Sequence, residues 1–158
     1  MDRPVTMPDL LSPDAVLACL DATSKKQVLQ DMAQYAASAL GLEAHGVFDV
    51  LWERERLGTT GVGFGIAIPH GRVEGLTEVR GFFARLAAPV AFESVDERPV
   101  DLVFLLLAPA AAGADHLHAL ATVSRVLRDA KLCEDLRTAQ DVATLYRLMT
   151  TATTAQAA

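Results

Sequence analysis

The residue with the clearest chemical potential is His70, which follows a glycine-rich and then apolar stretch at residues 61–68 and stands between Pro69 and Gly71. Proline fixes its own φ angle and biases the residue before it toward extended backbone. Glycine after the histidine leaves room for a bulky partner. A neutral imidazole can act as a nucleophile through one ring nitrogen while the other is hydrogen-bonded. We interpret His70 as a candidate nucleophile, with a hydrogen-bonded structural histidine as the alternative.

A second histidine, His116, is a candidate partner because of its position on a predicted helix. At about 100° per residue it shares an apolar face with Leu120 and Val123, whereas His118 falls about 200° away, toward solvent. Two histidines spaced in this way on a helix cannot share one metal ion. We expect His118, like His45, to be a surface or structural residue; for His116 a half-buried structural role stays open beside a functional one.

Arg54 lies in a charged segment at residues 52–56, at the end of a predicted helix. Such a segment is usually a solvated face with ion pairs three or four residues apart. Arg54 also precedes, by a short loop, the glycine-rich turn that leads to His70. Beside a histidine that accepts phosphate, its guanidinium group would hold the phosphate oxygens.

The elements that must position these side chains follow from hydrophobic periodicity and helix capping. Ser24 and Gln27 predict a capping box before a helix that ends at Gly41, and a second helix is closed by Gly58. That second helix and the later ones are predicted at residues 43–57, 114–128, 134–139 and 141–149. Strands are predicted at residues 16–20, 66–68, 79–86 and 101–107, with a short one at 90–92. Alternating helices and strands in 158 residues predict one α/β (α+β) domain with three layers.

Composition excludes several classes of function. The net charge is −6 and no Lys/Arg-rich block occurs, so we expect no nucleic-acid partner. The longest uncharged apolar stretch, residues 102–114, is too short to span a bilayer, and the N-terminus lacks a signal peptide. We expect a cytoplasmic protein that is not membrane-embedded. The glycines at 61, 63 and 65 do not match a dinucleotide fingerprint, and no P-loop, serine-hydrolase elbow or metal-ligand spacing occurs.

Three segments together resemble a known family: residues 54–71, 99–104 and 116–120. They resemble the enzyme IIA domains of the bacterial phosphotransferase system, of the fructose–mannitol type. Within that group the chain is most similar to the nitrogen-regulatory enzyme IIA. The resemblance implies a mixed β-sheet flanked by helices on both faces, a three-layer sandwich.

The domain boundaries that we predict leave short segments at both ends of the chain. The enzyme IIA domain is assigned to residues 10–150. An extended N-terminal lead, residues 1–9, precedes it. The tail at residues 151–158 is small and polar and is predicted to be disordered.

The resemblance also implies roles for individual residues. His70 matches the phosphoryl acceptor, through Nε2, His116 matches a supporting histidine, and Arg54 matches a phosphoryl clamp. Thr60 and Gly71 are expected beside the phosphoryl group. The implied donor is a phosphorylated HPr-like carrier, itself charged from phosphoenolpyruvate by an enzyme I. No metal and no cofactor are implied.

Three functions are compatible with this pattern. The first is a regulatory, nitrogen-related phosphocarrier, which we favour. The second is a sugar-specific enzyme IIA that passes its phosphoryl group to a IIB subunit. The third is a binding module that keeps the fold but transfers nothing. Arg72 stands where relatives often carry lysine or threonine, and we assign it no role.

Overall fold

The computed structural model describes residues 5–157, with side chains described through residue 151. The helices in this part of the chain are α1 (Met7–Leu10), α2 (Lys25–Leu40), α3 (Ala44–Leu57), α4 (Ala114–Leu127), α5 (Ala130–Thr138) and α6 (Val142–Ala157). The strands are β1 (Leu11–Leu20), β2 (Gly61–Gly63), β3 (Ile66–Ala67), β4 (His70–Val73), β5 (Arg80–Val90) and β6 (Val100–Pro109).

Strand β6 is the centre of a mixed sheet with the order β1-β5-β6-β3-β2. β5 pairs with it antiparallel on one side. On the other side β3 and then β4 pair with it parallel, one after the other along its length. Residues 102–108 of β6 are all buried, as expected for a strand covered on both faces. This strand therefore fixes where β4, and His70 at its start, lie.

The helices form two groups that cover opposite faces of the sheet. α2 packs on α3, and Tyr35 of α2 makes an edge contact with Phe82 of β5. α1, α4, α5 and α6 contact one another. Arg85 of β5 reaches this second group through hydrogen bonds to the carbonyl oxygens of Leu136 and Ala139. Because side chains alternate along a strand, Phe82 and Arg85 point to opposite faces. The predicted three-layer α/β architecture is thus confirmed.

Capping residues explain where the central helices begin and end. The Ser24 side chain accepts a hydrogen bond from the Gln27 backbone N–H, as predicted. The second hydrogen bond of the predicted capping box, from the Ser24 backbone N–H to the Gln27 side chain, is replaced. The Gln27 side chain accepts from the backbone N–H and the hydroxyl of Thr23 instead. Gly41, at φ 71°, ends α2 in the left-handed conformation that glycine permits. Glu43 caps α3 by accepting from two backbone N–H groups.

Several predicted boundaries were wrong, each for a local reason. The lead contains a helical turn, Met7–Leu10, whose first turn is closed by a Thr6 capping box, so it is not extended throughout; residues 1–4 lie outside the described residues. The helix predicted at 134–139 begins at Ala130, because the Asp129 side chain caps it. The tail predicted to be disordered continues α6 to Ala157, since it is alanine-rich and has no proline or glycine to stop it; residue 158 is not described.

Both the length and the number of the strands were underestimated from the sequence. β1 begins five residues before the predicted start and contains Pro13, which an edge strand tolerates. β5 runs on to Val90 and thus takes in the start of the short strand predicted at 90–92. β4 was not predicted. His70 therefore opens a strand of its own, with two residues between it and the end of β3.

The contacts of Arg85 predict a measurable contribution to stability. Its guanidinium group donates to the carbonyl oxygens of Ala18, Leu136 and Ala139, at 2.9, 2.9 and 2.6 Å. The last two lie at the end of α5, where carbonyl groups lack partners within the helix. We expect Arg85→Met to lower the free energy of unfolding by about 2–4 kcal/mol, because carbonyl groups are left buried and unpaired. Urea unfolding followed by circular dichroism measures it.

Arg80→Met is the matched control on the same strand. Among the described residues the Arg80 guanidinium forms one contact, a 3.4 Å ion pair with the exposed Glu78, so its replacement should cost less than about 1 kcal/mol. Equal destabilisation by the two substitutions would show that the contacts of Arg85 with α5 contribute nothing specific.

Candidate functional site

His70 is held in one ring orientation and one tautomer. Its Nδ1 lies 2.8 Å from the carbonyl oxygen of Ile68. A carbonyl oxygen only accepts hydrogen bonds, so Nδ1 must carry the proton and Nε2 keeps its lone pair. The backbone around the ring is fixed as well, because the Leu106 N–H of β6 donates to the Pro69 carbonyl oxygen at 2.9 Å. The expected backbone acceptor for the second ring nitrogen is thus present.

The ring lies half-buried in an open cleft of about 410 Å³ between α3, the start of β4 and the first turn of α4. The residues that line this cleft, hereafter the His70 cleft, are Val50, Glu53, Arg54, Leu57, His70, Gly71, Arg72 and His116. Four of the five predicted site residues, Arg54, His70, Gly71 and His116, are therefore brought together. Arg72, to which the sequence assigned no role, joins them.

His116 lies beside His70, with the ring centroids 5.6 Å apart and the planes at 50°. It is buried, as the helical geometry predicted, whereas His118 is exposed. Its Nδ1 atom is buried and has no hydrogen-bond partner among the described residues. Buried polar atoms are normally paired, so this nitrogen is an exception within a residue that lines the cleft.

Burial lowers the pKa of both imidazoles below the usual 6.5. For His70 the hydrogen bond to Ile68 opposes this effect, while the positive charge of Arg54 adds to it. For His116 the further causes are the His70 and Arg72 charges. Both rings are accordingly neutral at pH 7, which is the nucleophilic form of His70.

Arg54 occupies the last turn of α3. Its Nη1 atom donates to the Gly58 carbonyl oxygen at 2.8 Å, which anchors the side chain at the helix end. The guanidinium group nevertheless lines the cleft, and its charge acts on His70. Arg56, two residues on, is exposed and pairs with Glu53 at 2.8 Å. The charged segment at residues 52–56 is therefore not one solvated face, because Arg54 lines the cleft and Arg56 lies in solvent.

Glu55, next to Arg54, is buried in an ion-pair network that sequence reasoning missed. Its carboxylate accepts from Lys25 Nζ at 2.8 Å and from the Thr60 backbone N–H at 2.9 Å. It also accepts from the Thr60 hydroxyl at 2.5 Å. Thr60 therefore does not line the cleft, contrary to the expected position beside a phosphoryl group. The network ties α2, the end of α3 and the start of β2 together.

No sequence signal identified Glu55, because its segment has the composition of a solvated helix face. Leu57 carried a weak signal, since it is a large apolar residue directly before the helix-ending Gly58. It is 85% exposed and lines the cleft.

Gly71 is required by close packing. A Cβ atom at this position would collide with a methyl group of Val50, so α3 lies almost directly on β4 beside His70. The space that Gly71 was predicted to leave for a bulky partner is thus occupied by Val50 of α3.

Two negative findings apply to the described residues. They contain no group of three or more His, Cys, Asp or Glu side chains arranged to hold a metal ion. None of the helices in residues 5–157 has both the length and the apolar character that crossing a membrane requires.

Comparison with known proteins gives a consistent result. The family described as "Phosphoenolpyruvate-dependent sugar phosphotransferase system, EIIA 2" matches residues 9–152. A nitrogen regulatory protein of Bradyrhizobium diazoefficiens is 51% identical over 146 residues, which cover 92% of this chain and 94% of that one. A nitrogen regulatory protein of Escherichia coli is 39% identical over 150 residues, 94% and 92% of the two chains.

Among solved structures, the nitrogen regulatory protein IIA-Ntr of Neisseria meningitidis is similar, with a TM-score of 0.85 and 31% identity. The match covers 91% of this chain and 99% of that one. The similarity in fold thus extends over nearly the whole chain.

The half-buried His70 and the buried His116 predict a pH dependence of stability. Because their pKa values are lowered from 6.5 on folding, the unfolded chain takes up protons first as the pH falls. Their contribution is complete above the unfolded value and is lost as the pH falls through the folded pKa values. We expect the free energy of unfolding, measured by urea titration on either side of pH 6.5, to fall more steeply for the native chain than for a His70→Gln, His116→Gln double variant.

Only the difference between the native chain and the His70→Gln, His116→Gln double variant is assigned to these two histidines, because the rest of the chain is the same in both proteins. A His118→Gln variant, which removes an exposed histidine, should keep the pH profile of the native chain. Parallel profiles for the native chain and the His70, His116 double variant would contradict the prediction.

Proposed function

Because the chain belongs to the type 2 enzyme IIA family of the phosphoenolpyruvate-dependent sugar phosphotransferase system, we propose that His70 accepts a phosphoryl group through Nε2 from a phosphorylated HPr-like carrier protein. The observation that carries the proposal is the Nδ1–H···O=C bond to Ile68, which leaves the Nε2 lone pair free beside Arg54 and His116. In the transfer, the lone pair attacks phosphorus and the carrier's leaving atom departs with the electron pair of its bond to phosphorus.

Positive groups support the transferred phosphoryl group. Phosphoryl transfer depends on in-line positioning and on neutralising charge on the equatorial oxygens. The Arg54 guanidinium can donate to two oxygens while it remains anchored at Gly58. The imidazole of His116, which lines the cleft beside His70, supplies a further N–H donor. A phosphoryl group would also raise the pKa of His116 by its negative charge, which favours the imidazolium form and strengthens that bond.

Arg72 contributes positive charge to the site, but we assign it no direct contact with the phosphoryl group. It is exposed at the rim of the His70 cleft, and its charge helps to lower the pKa of His116. We therefore count it as part of the positive field that attracts a phosphorylated partner.

We further propose that the chain regulates other proteins through its phosphorylation state. Relatives named nitrogen regulatory protein, at 51% and 39% identity over nearly the full length, favour this role over sugar-specific transfer. Phosphorylation adds between one and two negative charges, roughly, in a cleft bordered by exposed apolar residues. Leu57 lines the cleft and Leu117 follows His116, and they are 85% and 62% exposed. Proteins that dock on these residues would sense the added charge directly. We expect the relay to operate in the cytoplasm, where its phosphoenolpyruvate is made.

The acceptor is tested by phosphorylation with purified enzyme I, an HPr-like carrier and labelled phosphoenolpyruvate. We expect the native chain to be labelled and His70→Ala to lose the label, because the attacking nitrogen is gone. His118→Ala is the matched control and should be labelled normally, since that residue is exposed and outside the cleft. Mass mapping of the peptide then identifies the modified residue. Label retained in His70→Ala would remove this residue from the mechanism, and an unlabelled native chain would favour the non-transferring module.

The clamp is tested by single-turnover kinetics. Arg54→Gln removes a positive charge that acts on His70 and keeps a polar side chain, so transfer should slow by about ten- to 100-fold. Arg56→Gln is the control, because Arg56 lies on the same helix end but pairs with Glu53 in solvent. The free energy of unfolding of both variants checks that the fold is intact. Identical transfer rates for the two variants would exclude the clamp.

A further inference from the structure

A second concave surface, separate from the His70 cleft, lies between the β2–β3 hairpin and helices α4 and α5. Its volume is about 580 Å³, larger than that of the His70 cleft, and no residue lines both. Apolar side chains form most of its wall, among them Val62, Phe64, Ile66, Ile68 and Leu127. Roughly 300–1,000 Å³ with predominantly apolar walls is the range of small-molecule sites. We call this surface the hairpin groove.

Three arginines line the hairpin groove, although the net charge of the protein is −6. Arg98, Arg128 and Arg137 line it, and none of its lining residues is acidic. Arg137 is committed, because it forms two hydrogen bonds with Asp101, at 2.8 and 3.0 Å, and one with the Phe64 carbonyl oxygen.

Two of the three arginines remain open to a ligand. The guanidinium groups of Arg98 and Arg128 form no hydrogen bond or ion pair with any residue that the structure describes at side-chain level. Asp96 lies close enough for its carboxylate to interact electrostatically with Arg98, but that carboxylate accepts from the backbone N–H groups of Phe64 and Arg98 and not from the Arg98 guanidinium. The groove therefore offers two uncommitted cations beside an apolar wall.

From this combination we infer that the hairpin groove binds an amphipathic anion, a small molecule with an oxyanion head on an apolar body. The head is held by Arg98 and Arg128, and the body packs on the apolar wall. Charge-assisted hydrogen bonds are the strong ones, and arginine matches the planar geometry of an oxyanion head.

The wall of the groove is rigid before anything binds. Gly63, Phe64 and Gly65 all have positive φ, at 103°, 59° and 80°, a conformation that a bulky residue such as phenylalanine seldom adopts. Asp96 accepts from the Phe64 N–H and Arg137 donates to its carbonyl oxygen, both at 2.8 Å. Two hydrogen bonds thus fix the backbone of Phe64, a residue that is 71% exposed and lines the groove. A preformed wall reduces the entropy lost on binding.

The hairpin groove also touches the residue that orients the His70 ring. The Ile68 side chain lines the groove, while the Ile68 carbonyl oxygen accepts from His70 Nδ1. A ligand in the groove would contact the strand segment that fixes the tautomer of the proposed phosphoryl acceptor.

The inference is tested with two fluorescent probes of similar apolar shape. 8-Anilino-1-naphthalenesulfonate carries an anionic head, and N-phenyl-1-naphthylamine is neutral. We expect saturable, one-to-one binding of the anionic probe to the full chain. An Arg98→Gln, Arg128→Gln variant should weaken its binding by about tenfold and leave the neutral probe unchanged. Phe64→Asn, which tolerates the positive φ, should weaken both probes because it removes apolar wall.

Arg125→Gln is the matched control, an exposed arginine on α4 outside the groove, and should change neither affinity. Amide chemical shifts of the folded chain then locate the anionic probe at residues 62–68 and 124–137. Binding that does not saturate, equal effects of the arginine variant on both probes, no effect of that variant, or shifts confined to the His70 cleft would each overturn the inference.

Discussion

The site depends on a single hydrogen bond, from His70 Nδ1–H to the Ile68 carbonyl oxygen. An imidazole without that acceptor would exchange between two tautomers and rotate, so its nucleophilic nitrogen would be correctly placed for only part of the time. The acceptor is a backbone group at the end of a buried strand, and it cannot itself take a proton. The bond therefore sets which nitrogen keeps its lone pair, while burial of the ring lowers the His70 pKa and favours the neutral form at pH 7.

The rest of the structure holds the ends of three elements around that ring. The central strand β6 pairs with β3 and then with β4, which determines where the peptide between them places His70. The collision that a side chain at Gly71 would make with Val50 shows how closely α3 approaches. Glu55 then fixes the end of α3 through its bonds to Lys25 and Thr60.

A buried ion pair of this kind adds little net stability, because desolvation offsets most of the attraction. Its value lies in geometry. The Glu55 carboxylate bonds Lys25 and both the N–H and the hydroxyl of Thr60, which holds the last turn of α3, and with it the backbone of Arg54, against the start of β2. Removing one partner would leave a buried charge alone, which is far more costly than the pair is favourable. Two neighbouring residues thus have different roles. Glu55 points into the protein and holds the end of α3, whereas Arg54 lines the cleft.

The amino-acid sequence by itself determined what depends on a few neighbouring residues: the capping of α2 and its end at Gly41, the buried run of β6, the frame of His70 and the inward direction of His116. It did not reveal β4, the burial of Glu55, the removal of Thr60 from the cleft or the open groove beside the hairpin. Those features depend on partners far apart along the chain, such as Lys25 with Glu55 and Arg137 with Phe64. Periodicity and capping act over one or two turns, whereas only the packed fold decides which distant groups meet and which polar atoms remain unpaired.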